Sequence, residues 1–258
     1  MNTYESFKSD ILKMTEIDLN AYKEKQMKRR IDSLIAKHGV SGYDNFVRLL
    51  KNDHDMFEEF VNYLTINVSE FYRNPNQWGI LENDILPKML KESGKDLKIW
   101  SAACSTGDEP YSLIMLLSKF MPLEKAHVLA TDIDNQVIEK AKAGLYNEKS
   151  LAGLPKAFRE RFFSKVGEKN YAISTDVKKQ VTFKQHNLLK DTYPSSQDLI
   201  VCRNVMIYFT EEAKEEIYKK FHQALRPGGI LFVGSTEQII NATRIGFQSK
   251  YSFFYEKM

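Results

Sequence analysis

The chain has 258 residues, 43% hydrophobic and 28% charged, with 37 Lys plus Arg against 34 Asp plus Glu for a formal net charge of +3. This composition excludes disordered and fibrous classes, and no apolar run approaches the roughly 20 residues of a membrane helix. The cysteines, Cys104 and Cys202, lie far apart and outside any CxxC or Cys/His cluster. They exclude a disulfide framework and a zinc site of their own, and with a polar start lacking a signal-peptide stretch they suit a reducing cytoplasm.

From Tyr4 to about Arg73 the pattern predicts helices only. Met27, Ile31, Leu34 and Ile35 fall at i, i+4, i+7 and i+8, one apolar stripe, and Gly39 stands where a helix end favours glycine. Further helices are expected from near Tyr43 and from Asp55 to about Thr65. The stretch 21–30 sets Lys23, Lys25, Lys28, Arg29 and Arg30 against Glu24 alone. At roughly 100° per residue, Lys25 and Arg29 lie opposite the stripe while Lys23, Lys28 and Arg30 flank it. Such a face is either simply solvated or a docking surface for an anionic partner. Asn74-Pro75-Asn76 breaks the pattern, so the chain divides into an all-helical domain (1–74) and a second domain (75–258).

The second domain opens with a helix from Gln77 to about Lys91. Strands are then expected at 97–104, 127–134, 181–189, 198–204 and 230–234, with a closing edge strand at 252–258. Helices are expected at 108–120, 135–144 and 211–225, the last stopped by Arg226-Pro227-Gly228-Gly229. This alternation predicts a doubly wound, Rossmann-like α/β sheet. The stretch 145–180 is too long for a plain crossover. Its turn residues and short alternating runs at Phe162–Val166 and Tyr171–Ile173 predict an inserted β-subdomain with one helix.

In an open α/β sheet, ligands bind beyond the carboxyl ends of the strands. After the first strand, SAACSTGDEP (101–110) has one glycine, Gly107, where a pyrophosphate cradle wants several. Asp108 and Glu109 follow at the helix start. They are either helix-dipole partners or the wall of a site for a cationic ligand, which points from NAD or ATP toward S-adenosylmethionine. Asp132, 25 positions after Gly107 at the end of ATDID, is placed to accept ribose hydroxyls, and Asp134 to cap the next helix. Arg73 has a guanidinium suited to forking onto a carboxylate of cofactor or substrate. Tyr208 either offers its phenol near a reacting centre or packs beneath the following helix.

WSAACSTGDEPYSLIM, ATDID, HNLL (186–189), CRNVMIYF (202–209), INVSEFYR (66–73) and YKEKQMKRRI (22–31) together resemble the chemotaxis CheR-type methyltransferases over nearly the whole chain. The resemblance implies S-adenosylmethionine as cofactor, S-adenosylhomocysteine as product and no metal. It implies methyl esterification of glutamate side chains on chemoreceptors, whose helical cytoplasmic bundle would be the partner of the basic helix. By the same resemblance Asn67, Ser69 and Arg73 line the cofactor site, Asn187 and Leu188 flank the adenine, and Arg203 and Asn204 face the cofactor. Arg73 and Tyr208 are the candidates at the reacting centre. Ser69, Tyr72 and Asp108 stand where the family more often has threonine, phenylalanine and glutamate. Members that tether to a receptor C-terminal peptide carry a longer, glycine-rich turn in the subdomain. Here that turn is Gly167-Glu168-Lys169-Asn170, so no tether is expected. A nucleic-acid methyltransferase is disfavoured by the absence of a DPPY-type motif and a Pro-Cys pair. A non-catalytic cofactor-binding module is the rival of another class. No nucleic acid and no membrane insertion are expected.

Overall fold

The computed structural model describes residues 3–94 and 96–258, which cluster into two units. The first comprises the chain up to Asn67 together with Met206–Glu216; the second comprises Val68–Val205 and Ile217–Met258.

The first unit holds α1 (Tyr4–Thr15), α2 (Glu24–Lys37), α3 (Gly42–Asn52) and α4 (His54–Thr65). Thr3 caps α1 by accepting from the Ser6 N–H, and Asp53 caps α4 by accepting from Met56. The stripe on α2 is the buried face, since Met27, Ile31, Leu34 and Ile35 are all inside. They join a core around Phe7, Phe46 and Phe60, all fully buried, with Phe46 and Phe60 edge-on at 5.5 Å. Gly39, at φ 64, closes α2 in the left-handed conformation. The helical pattern was expected to about Arg73, but the last helix stops at Thr65 and Ile66 turns left-handed. Met206–Glu216 enters this unit from far along the chain. The Tyr22 and Phe209 rings lie 4.8 Å apart, Lys23 N–H donates to the Tyr208 carbonyl, and Thr210 N–H to that of Ala21.

The second unit starts with α5 (Pro75–Ile80) and α6 (Leu86–Ser93), joined by one π-turn, Leu81–Ile85. Pro87 explains it: proline has no N–H and its ring would crowd the Asn83 carbonyl, so Leu86 donates five back, to Leu81. Then follow β1 (Ile99–Ala102), α7 (Asp108–Leu117), β2 (Val128–Asp132), α8 (Asn135–Ala143), β3 (Leu145–Asn147), α9 (Lys156–Phe162), β4 (Phe163–Val166), β5 (Asn170–Ile173), α10 (Thr175–Lys178), β6 (Val181–Gln185), β7 (Gln197–Cys202), α11 (Glu211–Ala224), β8 (Leu225–Val233), α12 (Ala242–Ile245), β9 (Phe247–Tyr251) and β10 (Phe254–Lys257).

The main sheet runs β6-β2-β1-β7-β8-β10-β9; its first five strands are parallel, and β10 is antiparallel to both neighbours. The order reverses between β1 and β7, which opens the crevice where such sheets bind ligands. Two sequence expectations need correction. The C-terminal strand is β10, inside the sheet, and the edge is β9, whose mostly polar FQSKY buries Phe247 but leaves its other residues exposed. Strand β8 begins at Leu225 rather than Ile230. Arg226–Gly229 is absorbed in the ladder as an irregularity, and Gly229 is needed there because a Cβ would lie 2.8 Å from the Gln197 carbonyl oxygen.

The insertion between α8 and β6 is a three-stranded antiparallel sheet in the order β3-β5-β4, carrying two short helices rather than one. The three-residue β3 was not anticipated. The β4–β5 turn is one residue tighter than the sequence suggested, because Asn170 already pairs with Val166.

Candidate functional site

The site is built at the carboxyl ends of β1, β2 and β7. After β1 the backbone turns left-handed at Ala103 (φ 63), Ser105 (φ 47) and Gly107 (φ 88). Non-glycine residues hold such angles only where their surroundings over-determine them. Here Cys104 N–H donates to the Thr131 carbonyl, Gly107 N–H to that of Cys104, and Ser105 N–H to Asp132 Oδ2 at 2.8 Å. Gly107 is required twice, by its φ and by space: a Cβ would lie 2.9 Å from Ala141 Cβ and 3.0 Å from the Tyr111 ring.

Asp132 ends β2, is 6% exposed, and also accepts the Asp134 N–H at 3.1 Å. Burial pushes its carboxyl up to about 6 despite those donors. Asp134 caps α8 by accepting from Gln136. Beyond β6, His186 N–H donates to the Asp132 carbonyl, which brings Asn187 and Leu188 beside the β2 end. The Asn187 side chain accepts the Leu189 N–H, and Leu188 is buried.

At the start of α7, Asp108 is buried and takes hydrogen bonds from Thr106 Oγ1 at 2.6 Å and from Ser69; burial raises its pKa. Glu109 accepts from Ser101 Oγ at 2.8 Å, and its other oxygen lies 3.7 Å from Arg203 Nη1. Its carboxyl is pushed up to about 6 by burial, opposed first by the Arg203 charge.

The Arg203 guanidinium has protein partners that the sequence does not indicate. Its Nη2 donates to the Arg73 carbonyl (2.7 Å), Asn74 Oδ1 (3.0 Å) and Gln77 Oε1 (2.8 Å), and the guanidinium sits over the Phe232 ring. It therefore fixes the segment carrying Arg73. The Arg73 carbonyl also accepts from Trp78 Nε1, while its guanidinium makes a 3.5 Å contact with the Val68 carbonyl. Asn204 is left-handed at φ 62, and its N–H donates to Glu237 Oε2 at 2.6 Å. The same oxygen accepts the Gly234 N–H at 2.7 Å, so one carboxylate ties the ends of β7 and β8. Gly234 makes room for it, since a Cβ there would run into that carboxylate. Glu237, 4% exposed, was not anticipated; its only signal is a glycine three residues before an acid at a strand end.

Ser69, Arg73, Glu109, Asp132, Asn187, Leu188, Arg203 and Asn204 thus belong to the second unit. Asn67 and Tyr208 fold with the first, where the Asn67 amide donates to Asn62 Oδ1 and Thr65 Oγ1 at the end of α4. On α2, Lys23, Lys25 and Arg29 are exposed. Lys28 pairs with Asp32 at 2.7 Å, and Arg30 donates to the Tyr63 carbonyl and lies over its ring. The Lys28 side chain stays 42% exposed in its pair. Among the described residues there is no His, Cys, Asp and Glu group suited to a metal, and no helix long and apolar enough to cross a membrane.

A family model described as "CheR methyltransferase, SAM binding domain" matches residues 67–252, and another, "CheR methyltransferase, all-alpha domain", matches residues 2–65. The "Chemotaxis protein methyltransferase" of Listeria monocytogenes is 43% identical over 241 residues, covering 93% of this chain and 92% of that protein. "Chemotaxis protein methyltransferase 1" of Pseudomonas aeruginosa is 32% identical over 249 residues, covering 92% of this chain and 90% of that protein.

Proposed function

Since the chain belongs to the CheR methyltransferase family, whose matched domain binds S-adenosylmethionine, we propose that it transfers the cofactor's methyl group to glutamate side chains of chemoreceptors, forming methyl esters. The relatives' names carry the chemotaxis context. The observation that supports the chemistry is the acid-lined strand ends: Glu109 and Glu237 face the committed Arg203 guanidinium, and Asp108 and Asp132 are buried at the same turn. That set fits a ligand bearing a sulfonium and an ammonium and would repel a polyphosphate. Ser105 Oγ is buried with no hydrogen-bond partner in the protein, a polar group left over at the same turn. Asp132 would accept the ribose hydroxyls, since a carboxylate has lone pairs beyond those its backbone donors use. Asn187 and Leu188 would flank the base.

When bound, the cofactor supplies an activated methyl group. A glutamate carboxylate, which ordinarily titrates near ~4.3, is ionised at pH 7 and is already a nucleophile. The chain's task is then orientation and exclusion of water. Arg73, held by its backbone through Arg203 and Trp78, has a guanidinium available for a carboxylate of cofactor or substrate. Tyr208 is the second candidate at the reacting centre. Lys23, Lys25 and Arg29 form the face offered to an anionic helical bundle on the cytoplasmic side of receptors.

The experiment is transfer of labelled methyl to receptor-containing membranes, with the product treated with mild base. Base-labile label on glutamate-containing peptides supports the reading; base-stable label, or label on nucleic acid, sinks it. The three-residue β4–β5 turn favours recruitment without a C-terminal peptide tether. Micromolar binding of the full-length protein to a receptor C-terminal pentapeptide would refute that part alone.

A further inference from the structure

Tyr146 lies in β3 of the inserted sheet and is 5% exposed. Its side chain reaches two separate segments of the site. The hydroxyl donates to the Thr106 carbonyl at 2.7 Å, inside the left-handed turn after β1, and stands 3.2 Å from where a Cβ on Gly107 would be. The ring packs edge-on against Phe71 at 4.8 Å. Phe71 is fully buried, two residues after Ser69 and two before Arg73, and also meets Phe163 of β4 edge-on at 5.4 Å.

The insertion holds the same segment by its backbone. Phe71 N–H donates to the Ser150 carbonyl, and Gly153 approaches so closely that a Cβ there would lie 2.7 Å from the Phe71 carbonyl oxygen. The next residue, Tyr72, packs on Phe158 of α9 at 5.7 Å. The insertion is therefore wedged between the glycine turn and the segment bearing Ser69 and Arg73, and Tyr146 touches both.

The turn holds two non-glycine residues in the left-handed region, a conformation that persists only under constraint. Three of its hydrogen bonds go to the main sheet or to the turn itself; the Tyr146 hydroxyl supplies one from outside. Burial drives the Tyr146 pKa well up, so the hydroxyl stays a donor at any working pH.

We propose that Tyr146 is a positioning residue for the cofactor, coupling the inserted subdomain to the two segments, 68–74 and 103–107, that would hold S-adenosylmethionine. This rests on the cofactor reading above. When the hydroxyl is removed, the turn relaxes from its strained conformation and binding has to restore it. By the same linkage, cofactor binding stiffens the inserted sheet.

The test uses the full-length protein and S-adenosylhomocysteine, followed by titration calorimetry, with thermal unfolding measured in parallel. Tyr146→Phe keeps the ring and deletes the hydroxyl. S-adenosylhomocysteine should bind about tenfold more weakly, the scale on which leaving a buried carbonyl without its donor acts. Phe163→Leu leaves the hydroxyl in place and loosens Phe71; it should weaken binding several-fold as well, and it carries the test if Tyr146→Phe does not fold. A tyrosine with a purely structural role would lower the melting temperature and leave the affinity unchanged. Affinities within twofold of wild type in both variants overturn the coupling. A wild-type protein that does not bind S-adenosylhomocysteine overturns the cofactor reading, and this inference with it.

Discussion

Replacing Arg203 by methionine tests whether that guanidinium holds the Arg73 segment. Methionine has enough bulk to cover Phe232, so packing is largely kept. Three acceptors lose their donor. The Arg73 carbonyl keeps Trp78 Nε1, and Asn74 is exposed and turns to water. Gln77 is buried at 5% exposure, so its oxygen is stranded at a cost of about 1–3 kcal/mol. Glu109 loses its counter-charge. Breaking a buried pair costs about 3–5 kcal/mol when the remaining charge must persist. Glu109, however, already titrates near pH 6 and escapes by taking a proton, at about 1.4 kcal/mol per pH unit, so at pH 7 this part is held to about 1–2 kcal/mol. Burial also strains the arginine itself, lowering its pKa, and methionine relieves that. The balance is a loss of about 2–3 kcal/mol, or roughly 5–10 °C in melting temperature for a chain of this size. Scanning calorimetry at pH 7 and pH 6 checks it, and the deficit should narrow at pH 6. A variant that melts within 2 °C of wild type, or above it, refutes the reasoning.

Asp132→Asn should weaken S-adenosylhomocysteine binding at least tenfold, because hydrogen bonds to a charged acceptor are worth about 1.5–3 kcal/mol each; unchanged affinity in calorimetry would remove Asp132 from the site. Asparagine keeps an acceptor for one of the Ser105 and Asp134 N–H groups where alanine strips both, so thermal unfolding in parallel separates loss of the turn from loss of the ribose contacts. Reversing Lys25 and Arg29 to Glu should reduce receptor methylation and leave S-adenosylhomocysteine affinity intact; normal methylation at physiological salt would make that face merely solvated. Glu109 and Asp132 titrate near 6 in the fold against ordinary values of 4.5 and 3.8. The ligand-free native state therefore binds more protons than the unfolded chain between about pH 4 and 6, and its stability falls as pH rises through that window. A cationic ligand wants both groups ionised, so affinity should rise over the same range, and calorimetry giving a flat profile from pH 5.5 to 7.5 would contradict the link.

The parallel strands of the main sheet were legible because they are short apolar runs between clear helices, and the place of Asp132 because it ends one of them; their order was not read from the chain. The edge strand β9 was not, since one buried face on a sheet edge leaves too few apolar positions to alternate. β3 is three residues long and reads as polar loop. The position of Arg203 at a strand end is written in the chain, but the carbonyl and amides its guanidinium grips, about 130 residues away, are not. Glu237 and Tyr146 escaped for the same reason. Glu237 accepts from the Asn204 N–H and Tyr146 donates to the Thr106 carbonyl, backbone groups far along the chain that carry no pattern.

The helical unit takes Met206–Glu216 into its fold. During synthesis the first four helices emerge early, but the isolated bridge of Tyr22 with Phe209 has to wait for residues made far later. Roughly 140 residues (68–205) intervene, about 7–30 s of translation at ~5–20 residues per second. For that interval the nascent amino-terminal bundle stands without the segment that covers the Tyr22 ring and accepts the Lys23 amide. The unit whose synthesis starts first therefore closes only after most of the second unit has been made.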